Sequence, residues 1–257
     1  MRPPVATDLL AHNDRQRAYY DGTRKKTMVP AETPYVRRHI DAVMRFAALR
    51  PGERVLDVGC GMGKFTLPMR RDGFDVEGLD ISPWLLEQLE QSRAEQALPA
   101  VPLYCEDVAT PPESLQGRYD AVVGFFALHH MHDLARCFAG MAAMLKPGGR
   151  LVFAEPNPLN PGYYLQVAIT PGMKWAAERG ILNMRPDTLR AAIESAGLAG
   201  FGFARYGFFP PALANRRWGA RLEANLEAIG AVRPVRAFQL FRAERPPRAN
   251  GGSTAPA

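Results

Sequence analysis

The chain has 257 residues, 47% of them hydrophobic, with 32 basic against 26 acidic side chains and a formal net charge of +6. That length fits one large domain, or a core with a lid, and buries enough surface to need no disulfide or metal staple. The hydrophobic content excludes an intrinsically disordered chain. Three cysteines, an odd number, speak against a disulfide framework and for a reducing, cytoplasmic setting. The basic residues, 27 Arg and only 5 Lys, are scattered rather than striped, so the charge does not point to a nucleic acid. Residues 1–30 hold no apolar run of a secretory signal, and no window approaches the ~20 apolar residues of a spanning helix.

Residues 1–50 read as a helical arm. A short helix is expected over 14–20. A second is expected over 34–49, where Val36, Ile40, Val43, Met44, Ala47 and Ala48 recur at helical spacing before Pro51-Gly52. From residue 54 the pattern alternates. Strands are expected over 54–58, 75–79, 101–105, 119–125 and 150–154, with helices over 64–71, 82–96 and 134–145. Ser82 as N-cap and Pro83 at the first helical position open the second of these helices. The runs VLDVG, DAVVGFF and LVFA suit strands buried on both faces.

Such βαβ units make an α/β fold, a Rossmann-like, doubly wound, mainly parallel sheet with helices on both faces. Strands over 201–208 and 237–242 complete seven. Residues 157–184 are too long for an ordinary connection and read as an insert after the fifth strand. Helices follow over 186–196 and 211–229, and the low-complexity tail 246–257 is expected to be disordered. The organisation is an arm or lid (1–50), a binding core (51–157), an insert with the remaining α/β core (158–245), and the tail.

In an open parallel sheet, ligands bind beyond the carboxyl ends of the strands. Here those ends carry Asp57 with its glycine loop, Asp80, Glu106-Asp107, Gly124 to Phe126, and Glu155. Acids at successive strand ends suit a ligand with an amine, a ribose diol and an amino-bearing base. The loop reads Gly59-x-Gly61-x-Gly63, whereas the dinucleotide fingerprint needs its third glycine where Lys64 stands.

The ordered set VLDVGCGMGKFT (55–66), VEGLDIS (76–82), CEDV (105–108), YDAVVGFFALHHM (119–131) and MLKPGGRLVFAEPN (144–157) resembles class I S-adenosylmethionine-dependent methyltransferases. The likeness is to the small-molecule group of quinone biosynthesis and natural-product tailoring. It covers residues 52–157 well and the rest only in outline. It implies S-adenosylmethionine as cofactor, S-adenosylhomocysteine as product and a small-molecule acceptor. It places Gly59 and Gly61 against the methionine moiety, where a Cβ would block approach, with Cys60 between them as a small loop residue. Asp57 falls near the amino group, where it could equally cap the loop. Asp80 falls on both ribose hydroxyls and Ile81 on the adenine. Asp107 is the acceptor for the adenine amino group beside the Val108 backbone, with Glu106 or Asp107 left as a solvated acid. Gly124 and Phe125 fall beside the sulfonium.

Methyl transfer from a sulfonium is an in-line displacement, helped mainly by proximity, alignment and exclusion of water. A general base is needed only for an acceptor that must lose a proton. The candidates are His129, His130 and Glu155, each with an alternative role in packing or capping. No metal is expected, because adjacent histidines diverge. Tyr20 and Tyr35 in the arm, and Tyr163, Tyr164 and Trp175 in the insert, are candidate acceptor contacts and favour a hydrophobic or aromatic molecule. Two alternatives remain. One is a lipid-linked acceptor at a membrane surface, suggested by Arg216, Arg217, Trp218 and Arg221. The other is a non-catalytic S-adenosylmethionine-binding protein.

Overall fold

Seven strands form one sheet: β1 (Arg54–Val58), β2 (Asp75–Asp80), β3 (Leu103–Cys105), β4 (Tyr119–Phe125), β5 (Leu145–Pro156), β6 (Ala199–Tyr206) and β7 (Phe238–Glu244). Their order is β3-β2-β1-β4-β5-β7-β6. The structure is a computed structural model that describes residues 6–22, 28–170 and 173–247. β1 to β5 pair in parallel, and β7 runs antiparallel between β5 and β6. The strand order reverses between β1 and β4, which puts the switch-point crevice above their carboxyl ends.

Alternation along each strand divides the core in two. Leu56, Val58, Val122, Leu151, Phe153 and Phe241 face one layer, and Val55, Ala121, Val123, Val152, Ala154 and Leu240 the other. The helices are α1 (Ala6–Tyr20), α2 (Pro34–Ala47), α3 (Thr66–Arg71), α4 (Pro83–Glu95), α5 (Leu134–Met144), α6 (Pro161–Ile169), α7 (Trp175–Glu178), α8 (Pro186–Ser195), α9 (Pro211–Ala214) and α10 (Arg217–Ala228). The first layer is built with α5 and α8, and the second with α2. Ser82 caps its helix as expected, its Oγ accepting from Leu85 N at 3.1 Å, and Thr33 Oγ1 caps α2 by accepting from Val36 N at 3.2 Å.

Several boundaries differ from the sequence reading. α1 begins at Ala6 rather than at residue 14, because polar contacts to the strand ends, not an apolar stripe, hold it. The segment 146–149, expected only to stop a helix, opens β5: Leu145 pairs with Tyr119, and Gly148 N–H donates to Arg245 O at 2.8 Å. The helix expected over 211–229 is broken into α9 and α10 near Asn215, whose Oδ1 accepts from Tyr35 N at 2.9 Å. The insert folds as α6, α7 and a 3-10 turn, Arg179–Asn183. The tail is expected over 246–257, of which residues 248–257 lie outside the described residues. Among the described residues, no helix is long and apolar enough to cross a membrane.

Candidate active site

The loop after β1 is tied down from below. Asp57 is buried, and Thr66 Oγ1, in the first turn of α3, donates to its Oδ2 at 2.6 Å. Burial pushes the Asp57 carboxyl up to about 7, and the Thr66 hydroxyl opposes the rise. Gly59 has φ 71°, and a Cβ there would lie 2.4 Å from Ala127 Cβ. Glycine therefore lets this loop meet the chain after β4. Cys60 is buried, and burial holds its thiol well above the ordinary range, so it fills space.

Asp80, at the end of β2, accepts from Gly61 N at 2.9 Å and from Ser82 N at 3.0 Å, one on each oxygen. Burial raises its pKa and these N–H groups oppose the rise. Beyond β3, Glu106 is exposed, whereas Asp107 is half-buried and accepts from Ala109 N and from Asn13 Nδ2, both at 2.8 Å. Val108 is buried, and half-buried Ile81 presents its carbonyl to Arg17 Nε at 2.9 Å. Gly124 sits against the Phe153 ring, 2.1 Å from where its Cβ would be, so core packing alone demands glycine. Phe125 stacks on Phe65 at 4.3 Å.

α1 lies across these strand ends. Asn13, Arg17 and Tyr20 recur at i, i+4, i+7 and share one face. They reach Asp107, Ile81 and His130 in turn, while Ser82 Oγ donates to Asp21 Oδ1 at 2.6 Å. Tyr20 Oη lies 2.8 Å from His130 Nε2. Burial and then the Glu178 carboxylate hold the Tyr20 phenol well above its ordinary pKa, so the hydroxyl keeps its proton.

After β4 the chain makes a 3-10 turn, Leu128–His130. Glu155 holds it: Oε1 accepts from Ala127 N at 3.0 Å and Leu128 N at 2.7 Å, and Oε2 accepts from His129 Nδ1 at 2.6 Å. On the far side, His129 Nε2 lies 3.3 Å from Glu178 Oε2, which also accepts from the Tyr163 hydroxyl at 2.7 Å. Burial alone would lower the His129 pKa, but Glu155 and then Glu178 overcome it and bring it to about 9. Burial would likewise raise Glu178, and the His129 hydrogen bond, followed by the nearby His130 and His129 rings, brings it down to about 2. The imidazole is thus an imidazolium between two carboxylates.

The His130 ring lies tilted against that of His129, ring centres 4.0 Å apart. The His130 Nδ1 donates to Ala177 O at 3.3 Å, which leaves Nε2 as acceptor for the Tyr20 hydroxyl. Gly180 makes this crowding feasible, since a Cβ there would fall 1.8 Å from His129 O. Ligand atoms of His129, His130 and Glu178 lie within 4.8 Å of one another. That spacing could admit a cation, but both His129 nitrogens are committed to carboxylates as N–H donors.

The five aromatic candidates separate into three places. Tyr20 and Tyr163 join the histidine pair. The Tyr164 hydroxyl donates to Pro158 O at 2.8 Å, and with Trp175, Val167, Ala168 and Leu182 it lines an apolar hollow of about 460 Å³. Tyr35 is buried on α2, 4.3 Å from the His39 ring centre, with Lys64 Nζ 5.3 Å over its own ring. The sequence reading missed Glu178, which lies in the variable insert with no motif around it. It also missed Asn13 and Arg17, although their spacing to Tyr20 carried a legible signal.

A Rossmann-like sheet with acids at its first strand ends and a histidine pair after β4 defines a protein of the class I methyltransferase fold. The chain belongs to the methyltransferase domain family, which matches residues 32–200 and uses S-adenosylmethionine. It is 30% identical over 202 residues to a demethylmenaquinone methyltransferase of Beutenbergia cavernae, covering 72% of this chain and 80% of that protein. It is 34% identical over 106 residues to a ubiquinone biosynthesis O-methyltransferase of Coxiella burnetii, covering 41% of this chain. The match spans only 44% of that relative's length. The fold is also that of a geranyl diphosphate C-methyltransferase from Streptomyces coelicolor A3(2), solved with Mg²⁺, geranyl-S-thiolodiphosphate and S-adenosylhomocysteine. The TM-score is 0.61 at 16% identity, over 95% of this chain and 100% of that one.

Proposed function

We propose that this protein transfers a methyl group from S-adenosylmethionine to oxygen, carbon or nitrogen of a small hydrophobic or aromatic acceptor by in-line displacement. The residues fit that donor. Gly59 and Gly61 leave the loop backbone bare of side chains, since a Cβ on Gly59 would lie 2.4 Å from Ala127 Cβ and one on Gly61 3.2 Å from Met28 Cε. Asp107 already accepts from the Asn13 amide as it would from an adenine amino group. When bound, the donor supplies an electrophilic methyl on a sulfonium.

Asp80 accepts from both ribose hydroxyls, its oxygens aimed by the N–H groups of Gly61 and Ser82. Asp107 accepts from the adenine amino group beside Val108, and Ile81 packs on the ring. Asp57 acts through the glycine loop. Gly124 and Phe125 border the methionine portion, and α1 covers the whole and excludes water.

His130 takes the acceptor proton at Nε2, directly or through the Tyr20 hydroxyl. The imidazolium so formed lies beside Glu178, which stabilises it. His129 and Glu155 are positioning residues that hold the His130 turn. The observation that carries this reading is the Tyr20–His130 hydrogen bond, which pairs a phenol on α1 with an imidazole in the turn after β4. The test is incubation with S-adenosylmethionine and a panel of phenols, catechols and hydroquinones, with S-adenosylhomocysteine measured by mass spectrometry. Formation of that product with an equivalent of methylated acceptor supports the reading. Absence of both S-adenosylmethionine binding and turnover would sink it.

A specific observation favours a second reading, action on a lipid-linked acceptor. α10 turns both its carboxylates inward, Glu223 and Glu227 pairing with Arg38, while Arg216, Arg217, Trp218, Arg221 and Leu222 are exposed. That outer face is basic and aromatic, as a surface for anionic lipid is. Sedimentation with phosphatidylglycerol vesicles tests it, and protein left wholly in the supernatant rejects it.

A further inference from the structure

His39, on α2, is fully buried and lies outside the histidine pair described above. Its ring is enclosed by five aromatic rings, those of Tyr35, Phe65, Phe126, Tyr206 and Phe238, with centroids 4.3 to 6.2 Å away. Nδ1 shares a hydrogen bond of 2.5 Å with the Tyr206 hydroxyl. Nε2, at the tip of the ring, has no hydrogen-bond partner among the described residues. Sealing an imidazole nitrogen from water without a partner is costly, and native interiors seldom do so without a reason.

The place supplies one. Phe65 follows the glycine loop, Phe126 follows β4, and Phe238 opens β7 opposite Pro156, the last residue of β5. The box therefore stands at the carboxyl edge of the sheet, beside the end of the crevice assigned to the sulfonium. Phe126, moreover, holds φ 56°, a left-handed conformation that a phenylalanine rarely adopts. A strained wall and an unpaired buried polar atom meet at one spot, as functional sites commonly do. The imidazole is also held neutral, first by burial and then by Lys64 and Arg38. A neutral imidazole can pair with a hydroxyl in either tautomer.

We propose that His39 anchors the methyl acceptor: its Nε2 hydrogen-bonds a ring hydroxyl of a planar phenolic acceptor whose ring is held among Phe65, Phe126 and Phe238. The acceptor enters by displacing the Phe126 ring. His39 is then a binding and specificity residue, distinct from His130, which takes the proton. This inference rests on the proposed methyltransferase reading and names the acceptor class for it.

The test uses the full chain with isotope-labelled histidine, saturated with S-adenosylhomocysteine, and catechol as the probe against toluene as a control without hydroxyls. Catechol is expected to shift the His39 nitrogen resonances saturably, and toluene to bind more weakly. His39→Phe should weaken catechol binding by about tenfold or more, with S-adenosylhomocysteine affinity unchanged, and His39→Gln should recover part of it. Retained S-adenosylhomocysteine binding certifies that each variant is folded. Catechol that fails to bind, or that binds wild type and both variants alike with His39 resonances unmoved, overturns the proposal. Failure of wild-type protein to bind S-adenosylhomocysteine overturns instead the methyltransferase reading beneath it.

Discussion

The Tyr20 hydroxyl donates to His130 Nε2 at 2.8 Å, joining α1 to the turn after β4 across 110 residues of chain. The same helix reaches Asp107 through Asn13 and Ile81 through Arg17. One face of α1 thus connects the end of β3 to the turn after β4. His130→Ala is expected to lower kcat by about a hundredfold, the usual worth of a positioned base, with little change in donor affinity. Tyr20→Phe should cost less in kcat and should weaken donor affinity only slightly. Steady-state kinetics with calorimetry of S-adenosylhomocysteine separate these effects, and unchanged kcat in both variants would leave proximity as the main catalytic contribution.

Asp80 is aimed by two backbone N–H groups and buried. Removing its carboxylate, as Asp80→Ala, should weaken S-adenosylmethionine binding by about tenfold or more, equivalent to ~1.5 kcal/mol. Glu106→Ala, at an exposed neighbouring position, should not. Titration calorimetry of both variants checks the pair, and equal losses would refute the assignment.

His129 between Glu155 and Glu178 makes stability depend on pH. Its folded pKa, about 9, lies above the ordinary 6.5. The stabilisation is complete below about 6.5 and is lost as pH rises through about 9. Glu178, held down to about 2, adds stability that is present above its ordinary 4.5 and lost only as pH falls through about 2. Denaturant unfolding from pH 6 to 10 should therefore show a fall across about 6.5 to 9, and His129→Gln should flatten it. Glu155→Ala leaves the imidazolium partly unpaired and should destabilise by about 3 kcal/mol.

Gly59 stands where any Cβ meets Ala127 at 2.4 Å, in a left-handed conformation. Gly59→Ala should destabilise by about 1–3 kcal/mol through overpacking and strain. Donor affinity should fall with it, since the loop must move off the chain after β4. Thermal unfolding and binding measured on the same sample check whether the two losses travel together.

The apolar runs of β1, β4 and β5, the cap of α4, and the acids ending β2 and β3 were legible in the chain. Each depends on neighbours within a few residues, and local pattern reports such dependence well. The different surroundings of the two histidines after β4 were not legible. His129 and His130 are adjacent and chemically alike, yet one is an imidazolium locked between carboxylates from β5 and α7, and the other accepts from a phenol on α1. Glu106 and Asp107 diverge likewise, because only Asp107 turns toward Asn13. His39 became notable only once five rings from distant segments closed around it. The amino-acid sequence alone determined the strand ends and the acids they carry, where motif and strand end coincide. Tertiary structure decided the histidine cluster after β4, because charge state, burial and partnering there come from residues far apart in the chain, and the dielectric and partners of a side chain exist only after folding.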